Sequence, residues 1–254
     1  MIVAAIIPAA GSGSRFGEDK LSRSLGGRPV LIRAVEAMSR RDEVRDIIVA
    51  GPPDQMDAFR ERFGAALGFL GATIVEGGRT DRWETVAAAL AHVSDDCTHV
   101  AVHDAARPCP GGAMLDRLFK AAGSLPAVIP ALPVRSTLKE VDMSAGTVIR
   151  DNDALADSIL GEASEPGVAV SPVVRTIDRE SLVLVQTPQI VETPLLRRAY
   201  AEADPAGCTD EASLLERIDE PVHVVEGDPM NVKITVPHDW PLAEAALARG
   251  GMGA

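Results

Sequence analysis

Fourteen residues near the start of the chain, "PAAGSGSRFGEDKL" at 8 to 21, combine three glycines with two cations. Gly11 and Gly13 let the backbone approach an anion closely, and Arg15 and Lys20 follow as fixed positive charges. The dinucleotide fingerprint fails here, because Phe16 stands where its third glycine belongs, and the Gly-Lys-Ser/Thr ending of a triphosphate P-loop is absent. Backbone amides plus two cations suit phosphoryl or nucleotidyl chemistry better than the holding of an intact dinucleotide; a glycine turn with two solvated charges is the plain alternative. Three further stretches carry candidate chemistry. "VAVHDAARP" ends an apolar run with Asp104 and adds Arg107, which suits a carboxylate that holds magnesium or meets a substrate hydroxyl. "EGGRTDRWETV" forms a second glycine loop with Arg82 and Thr85 near a helix start, and "QTPQ" supplies the hydroxyl of Thr187. Close to the end, "NVKIT" sets Lys233 between Val232 and Ile234, so an extended chain turns the lysine away from its apolar neighbours.

These groups need a scaffold that gathers loops at one end, and the hydrophobic pattern describes one. The run "IVAAII" reads as a buried parallel strand delivering the loop that begins at Pro8. Val30, Leu31, Ala34, Val35 and Met38 form one stripe of a helix, and strands at "VRDIIVAG", "ATIVEGG", "THVAVHD" and "PAVIPALPV" alternate with helices near 54–67, 83–93 and 112–123. Repeated βα units predict an α/β fold: a Rossmann-like, mostly parallel sheet with helices on both faces. Between 136 and 180 the alternation stops and polar, turn-rich sequence with short β-like pieces takes over, which reads as an arm inserted within one domain spanning 1–254. The core resumes with "LVLVQTPQ", a helix near 193–202, a capped helix after Thr209, the strand "VHVVEG" and a final helix at "DWPLAEAALA".

A net charge of -12 argues against a general nucleic-acid or membrane-surface binder, since either favours a basic face. No apolar run approaches the ~20 residues that span a bilayer, and no secretory signal pattern opens the sequence, so the expected location is cytoplasmic. Cys97, Cys109 and Cys208 show no metal-ligand spacing and read as reduced thiols, while His103 reads as a packed or hydrogen-bonded histidine.

Taken in order, "PAAGSGSRFG", "GGRPVL", "VHDAARP", "PVRSTLK", "TIDRESLVLVQTPQ", "TDEASLLE" and "VEGDPMNVKITVPHD" resemble the cytidylyltransferase family that joins CTP and 2-C-methyl-D-erythritol 4-phosphate in non-mevalonate isoprenoid synthesis. The ordered set covers residues 6 to about 245. The resemblance implies a nucleotide cradle at Pro8, Ala9, Ala10, Gly11, Ser12 and Gly13, with Gly77, Arg82 and Thr85 around cytosine and ribose. It also implies Asp104 and Ala105 beside the nucleotide, Asp104 as the Mg2+ ligand, and Arg15, Lys20 and Lys233 as the catalytic cations. Asp104, Thr137, Arg179, Thr187 and Lys233 fall on positions used around methylerythritol phosphate, and a homodimer formed through the arm is implied, its Thr137 and Arg179 lent to the neighbour's site.

The chain departs from the family pattern in several places. Counting back from Gly26 and Gly27 sets Lys20 on the family lysine with a shortened loop, whereas counting forward from Arg15 sets Ser22 there. Thr85 replaces a serine, one residue more precedes Arg82, and Ser136 stands for an aspartate. The arm is longer than usual by about 20 to 25 residues, more than an inert link requires. Ribitol 5-phosphate cytidylyltransferase, another sugar- or polyol-phosphate nucleotidyltransferase, and a catalytically weakened nucleotide-binding homologue remain open readings at this level.

Overall fold

Residues 1–11, 16, 19–149 and 167–250 are described by a computed structural model. Ser12, Gly13 and Arg15 lie outside the described residues, as does the middle of the expected arm. The chain divides into a first unit, Met1–Leu132 with Val185–Ala254, and a second, Pro133–Leu184.

In the first unit, β1 (Val3–Pro8) opens the sheet, followed by a small hairpin of β2 (Ser24–Leu25) and β3 (Arg28–Pro29), helix α1 (Val30–Ser39) and β4 (Val44–Gly51). A 3-10 turn at Pro53–Gln55 leads into α2 (Met56–Phe69), then β5 (Ala72–Glu76), α3 (Arg82–Leu90), β6 (His99–Val102), α4 (Gly112–Ala122) and β7 (Ala127–Pro133). Strand β1 pairs in parallel with β4 and β6, and β4 with β5. Alternate residues on these strands feed two cores, because both sheet faces are covered. Ala5, Ile7 and Val49 pack with Leu31 of α1, Phe59 of α2 and Leu118 of α4 on one face. On the other, Ala4, Ile6 and Ile48 meet Val86, Ala89 and Leu90 of α3. The stripe expected on α1 is wholly inside, with Val30, Leu31, Ala34, Val35 and Met38 all at 0% exposure.

The second unit holds two antiparallel ladders, β8 (Leu138–Val141) with β11 (Val173–Ile177) and β9 (Thr147–Ile149) with β10 (Val168–Val170), and the chain passes from it back to the first unit within β12 (Val183–Val185). Val148, Ile149, Val168, Val173, Val174 and Leu184 are exposed on it.

The chain leaves the first unit at the carboxyl end of β7 and re-enters beside the carboxyl end of β6. The returning strand β13 (Gln189–Glu192) therefore runs antiparallel to both, with Gln189 opposite Val102. Unlike the parallel pairs of β1, β4, β5 and β6, this strand is antiparallel to its neighbours, and it brings "QTP" to the end where the βα loops gather. Helices α5 (Thr193–Glu202) and α6 (Glu211–Glu216) follow, then β14 (His223–Glu226), parallel to β7, and α7 (Asp239–Gly250). The stretch "NVKIT", expected to be β-like, joins no ladder. Its backbone instead meets the loop after β6, the Ile234 N–H donating to the Ala106 carbonyl at 2.9 Å.

Candidate active site

The carboxyl ends of β1, β5 and β6 open onto a cavity of about 380 Å³. Its lining comes from four separated pieces of sequence: Pro8–Gly11 with Lys20 and Leu21, Gly78–Arg82 with Thr85, Asp104–Ala106, and Lys233. The Ala9 N–H donates to the Ala50 carbonyl at 2.8 Å, so the first part of the loop continues the line of β1 against β4 before turning away. Lys20 sits in a turn closed by the Ser22 N–H to the Asp19 carbonyl, 3.3 Å, and fastened by the burial of Leu21.

The second glycine loop depends on close approach. A Cβ on Gly77 would stand 2.8 Å from Thr85 Cγ2 and 2.9 Å from Ala10 Cβ, and one on Gly78 would stand 2.2 Å from Glu84 Cβ. Only glycines let this loop lie against both α3 and the β1 loop. Thr85 Oγ1 accepts the Gly78 N–H at 3.1 Å. Glu84 Oε2 accepts the N–H groups of Arg79, Thr80 and Asp81, at 3.1, 2.9 and 3.4 Å. Those bonds, the one from Thr80 foremost, hold its carboxyl below the ordinary value. The start of α3 is thus organised by the side chains that the sequence offers there.

Asp104 is the electrostatic centre. Its side chain is buried, with Lys233 Nζ 2.8 Å and Arg107 Nε 3.5 Å from Oδ2 and Arg82 Nε 3.3 Å from Oδ1. Burial alone would raise its pKa, but Arg82, Lys233 and Arg107 together outweigh that and keep the carboxyl well below the usual carboxylate range. Arg82 is fastened from behind by Glu211, which accepts from Nη1 at 2.8 Å and Nη2 at 3.1 Å. Burial opposes the charge of Arg82; Glu211 and then Asp104 overcome it and raise its pKa. Glu211 in turn is carried by α6, whose N-cap Asp210 accepts from Ser213 N at 3.0 Å and from Gln189 Nε2 at 2.7 Å.

Under Asp104 lies a buried polar layer. The Asp104 N–H donates to Thr187 Oγ1 at 3.0 Å, and that oxygen is 3.3 Å from His103 Nδ1, while His103 Nε2 is 2.9 Å from the Arg107 carbonyl. Burial lowers the His103 pKa to about 4, the two hydrogen bonds only partly opposing it, so the ring is neutral at pH 7. Arg107 Nη1 donates to the Asn231 carbonyl at 2.7 Å, and Asn231 Nδ2 donates to the Thr187 carbonyl at 2.8 Å. This ties the chain two residues before Lys233 to both "HDAAR" and "QTP".

A family model for 2-C-methyl-D-erythritol 4-phosphate cytidylyltransferase (IspD) matches residues 3–158 and 154–249. The chain belongs to that family. It is similar to the 2-C-methyl-D-erythritol 4-phosphate cytidylyltransferase of Frankia casuarinae, 40% identical over 250 residues that cover 97% of this chain and 82% of the relative. The enzyme of that name from Rhodopirellula baltica is 35% identical, with 96% and 94% covered. Among solved structures, that of the Thermus thermophilus enzyme superposes with a TM-score of 0.69 at 34% identity and covers 98% of this chain and 100% of that one.

Set against the residues that the family resemblance singles out, the cavity gathers Pro8, Ala9, Ala10, Gly11, Lys20, Arg82, Thr85, Asp104, Ala105 and Lys233 on its wall. Gly77 stands behind Gly78, its N–H donating to the Gly51 carbonyl at 2.8 Å. Thr187 is also behind the wall, 4% exposed, with its hydroxyl turned to Asp104 and His103. Thr137 and Arg179 belong to the second unit, where both are exposed and Arg179 Nη1 donates to the Arg135 carbonyl. Sequence reasoning gave no role to Glu211, although "TDEASLLE" was among the matched stretches; a carboxylate just inside a helix N-terminus was the available signal, and its arginine partner lies 129 positions away. Asn231 was missed for the same reason, since its carbonyl meets Arg107 from 124 positions away.

Proposed function

We propose that this chain transfers the cytidylyl group of CTP to 2-C-methyl-D-erythritol 4-phosphate, giving 4-diphosphocytidyl-2-C-methyl-D-erythritol and pyrophosphate. One observation carries the reading beyond family membership: Lys20 and Lys233, from opposite ends of the chain, line the same cavity as the strand-end loop and the ion-paired Asp104. A phosphate oxygen of the acceptor attacks the α-phosphorus of CTP in line, the new P–O bond forms as the bond to the β-phosphate oxygen breaks, and pyrophosphate departs with the electron pair. The attacking oxygen is already anionic, so no general base is needed. What the protein supplies is alignment and positive charge. Arg15, Lys20 and Lys233 balance the charge of the pentacoordinate phosphorus, and the Ala9–Gly11 backbone holds the triphosphate. Lys233, half-exposed at its tip, is the member of the Asp104 cluster able to turn from carboxylate to phosphate.

Among the described residues no group of three or more histidines, cysteines, aspartates or glutamates is gathered to hold a metal ion. A lone carboxylate such as Asp104 still suits Mg2+, which is bound by one or two carboxylates together with substrate phosphates and keeps its own waters. When bound there, Mg2+ supplies further charge neutralisation at the phosphates. The exposed Val148, Ile149, Val168, Val173, Val174 and Leu184 support a homodimer built on the second unit, since apolar side chains exposed in this number on short strands favour a covering partner. No described helix is long and apolar enough to cross a membrane. Phosphorylated substrates and three unpaired cysteines support action in the cytoplasm.

The deciding assay is pyrophosphate release with CTP and methylerythritol phosphate, run beside ribitol 5-phosphate. Turnover of the first is expected, with a loss of roughly 100-fold or more in Lys20→Ala, by analogy with removal of an oxyanion donor. Turnover of ribitol phosphate alone overturns the acceptor assignment, and an unimpaired Lys20→Ala overturns the role of that lysine. Sedimentation should return a dimer mass.

A further inference from the structure

The residue that breaks the dinucleotide fingerprint has a structural employment. Phe16 is 5% exposed and packs against Trp240, 8% exposed, in the first turn of α7, with ring centroids 6.2 Å apart and planes tilted by 49°. The guanidinium of Arg23 lies 4.1 Å from the Trp240 ring centroid and 5.7 Å from that of Phe16. Phe16 comes shortly before Lys20 in sequence and Arg23 shortly after it. Both flanks of the lysine therefore meet on one indole.

That indole is itself held. Trp240 Nε1 donates to Glu244 Oε1 at 2.9 Å, and the adjacent Asp239 accepts the N–H groups of Thr235 and Val236 at 2.7 and 2.9 Å. Those two residues directly follow Ile234 and Lys233, so the start of α7 bears on the chain beside each of the two cavity lysines. Reacting groups displaced by about 1 Å can lose as much as 100-fold in rate, which makes an anchor at this point consequential for activity.

We infer that Trp240 is a positioning residue for Lys20 in the transfer reaction, an inference that rests on the cytidylyltransferase reading. The aromatic face holds the turn that carries the lysine at a fixed depth in the cavity. The experiment is a double-mutant cycle on pyrophosphate release and, separately, on CTP affinity by calorimetry, using wild type, Trp240→Leu, Trp240→Phe, Lys20→Ala and Trp240→Leu combined with Lys20→Ala. Trp240→Leu is expected to lower kcat/KM for CTP by about 10-fold, while Trp240→Phe, which keeps a ring for Phe16 and Arg23, recovers most of that. In the Lys20→Ala background the leucine substitution should cost less than twofold.

An equal loss in both backgrounds overturns the inference, because the indole then acts on the fold and not through the lysine. Full activity of Trp240→Leu overturns it as well. Should Trp240→Leu fail to fold, Arg23→Gln takes its place in the same cycle, with coupling to Lys20 in support and additivity against. If wild type binds CTP without turnover, the transfer reading fails and the affinity cycle alone decides the role of Trp240. A wild type that does neither overturns both.

Discussion

Glu211→Gln removes one charge from a position 1% exposed while leaving the volume almost unchanged. In the native protein Glu211 makes two hydrogen bonds to Arg82, at 2.8 and 3.1 Å, and the Arg82 side chain is 24% exposed. Breaking a buried ion pair from one side costs about 3–5 kcal/mol, because the surviving charge loses its compensation. Here Asp104 remains 3.3 Å from Arg82 and the amide oxygen still accepts one bond, which places the expected loss at the lower end, about 3 kcal/mol. For a chain of this size that is a fall in Tm of about 6–12 °C. Urea unfolding followed by far-UV circular dichroism measures the loss, with an unchanged m-value showing that the native state is otherwise intact. The same protein should show a raised KM for CTP, since Arg82 no longer has two carboxylates to hold it against the cavity wall. A loss below ~1 kcal/mol refutes the reasoning, as it would mean that Arg82 is satisfied by solvent and that α6 contributes nothing to the site.

Three further outcomes follow from the same geometry. His103 has a folded pKa of about 4 against an ordinary 6.5, so on acidification the unfolded chain takes up the proton first; stability is full above pH 6.5 and falls as pH drops towards 4, by up to about 3 kcal/mol. Urea midpoints between pH 4.5 and 7 should show that slope, and His103→Asn should flatten it; an identical slope in the variant assigns it to other groups. Gly78→Ala forces a Cβ to within 2.2 Å of Glu84 Cβ and 2.8 Å of the Thr85 nitrogen, so Tm and CTP affinity should fall together, and a variant with native values for both contradicts the packing described. Thr187→Val strands the buried Asp104 N–H at a cost of about 1–3 kcal/mol, whereas Thr187→Ser should restore both stability and turnover; equal behaviour of the two variants removes the hydroxyl from the account.

The expected α/β architecture was legible because its signals are local. Apolar runs such as "VAAII" and "IIVA" announce buried parallel strands, and the 3.6-residue stripe of α1 announces the face it buries. The elements not legible are those whose state depends on a distant neighbour. "NVKIT" has β composition but bonds to the loop after β6 rather than to a strand, and β13 runs against its neighbours because of where the chain returns to the sheet. Candidate site residues were legible where glycines and charges follow a strand end, as with Gly11, Lys20 and Asp104. Glu211 and Asn231 were illegible because a buried carboxylate or amide acquires meaning only from the partner opposite it.

The sequence by itself determined the kind of scaffold, the end of the sheet at which the loops gather, and, through the ordered motifs, the family. Hydrophobic period and turn chemistry are properties of adjacent residues, so they can be read without coordinates. Only the tertiary structure decided that Asp104 is surrounded by Arg82, Arg107 and Lys233, that Thr187 supports it from behind rather than lining the cavity, and that Lys20 faces the same space as Lys233. The contacts around Asp104 reach as far as Lys233, 129 positions away, and the cavity draws Lys20 and Lys233 from opposite ends of the sequence. Electrostatic energies depend on separation and burial in space, and neither quantity is written along the chain.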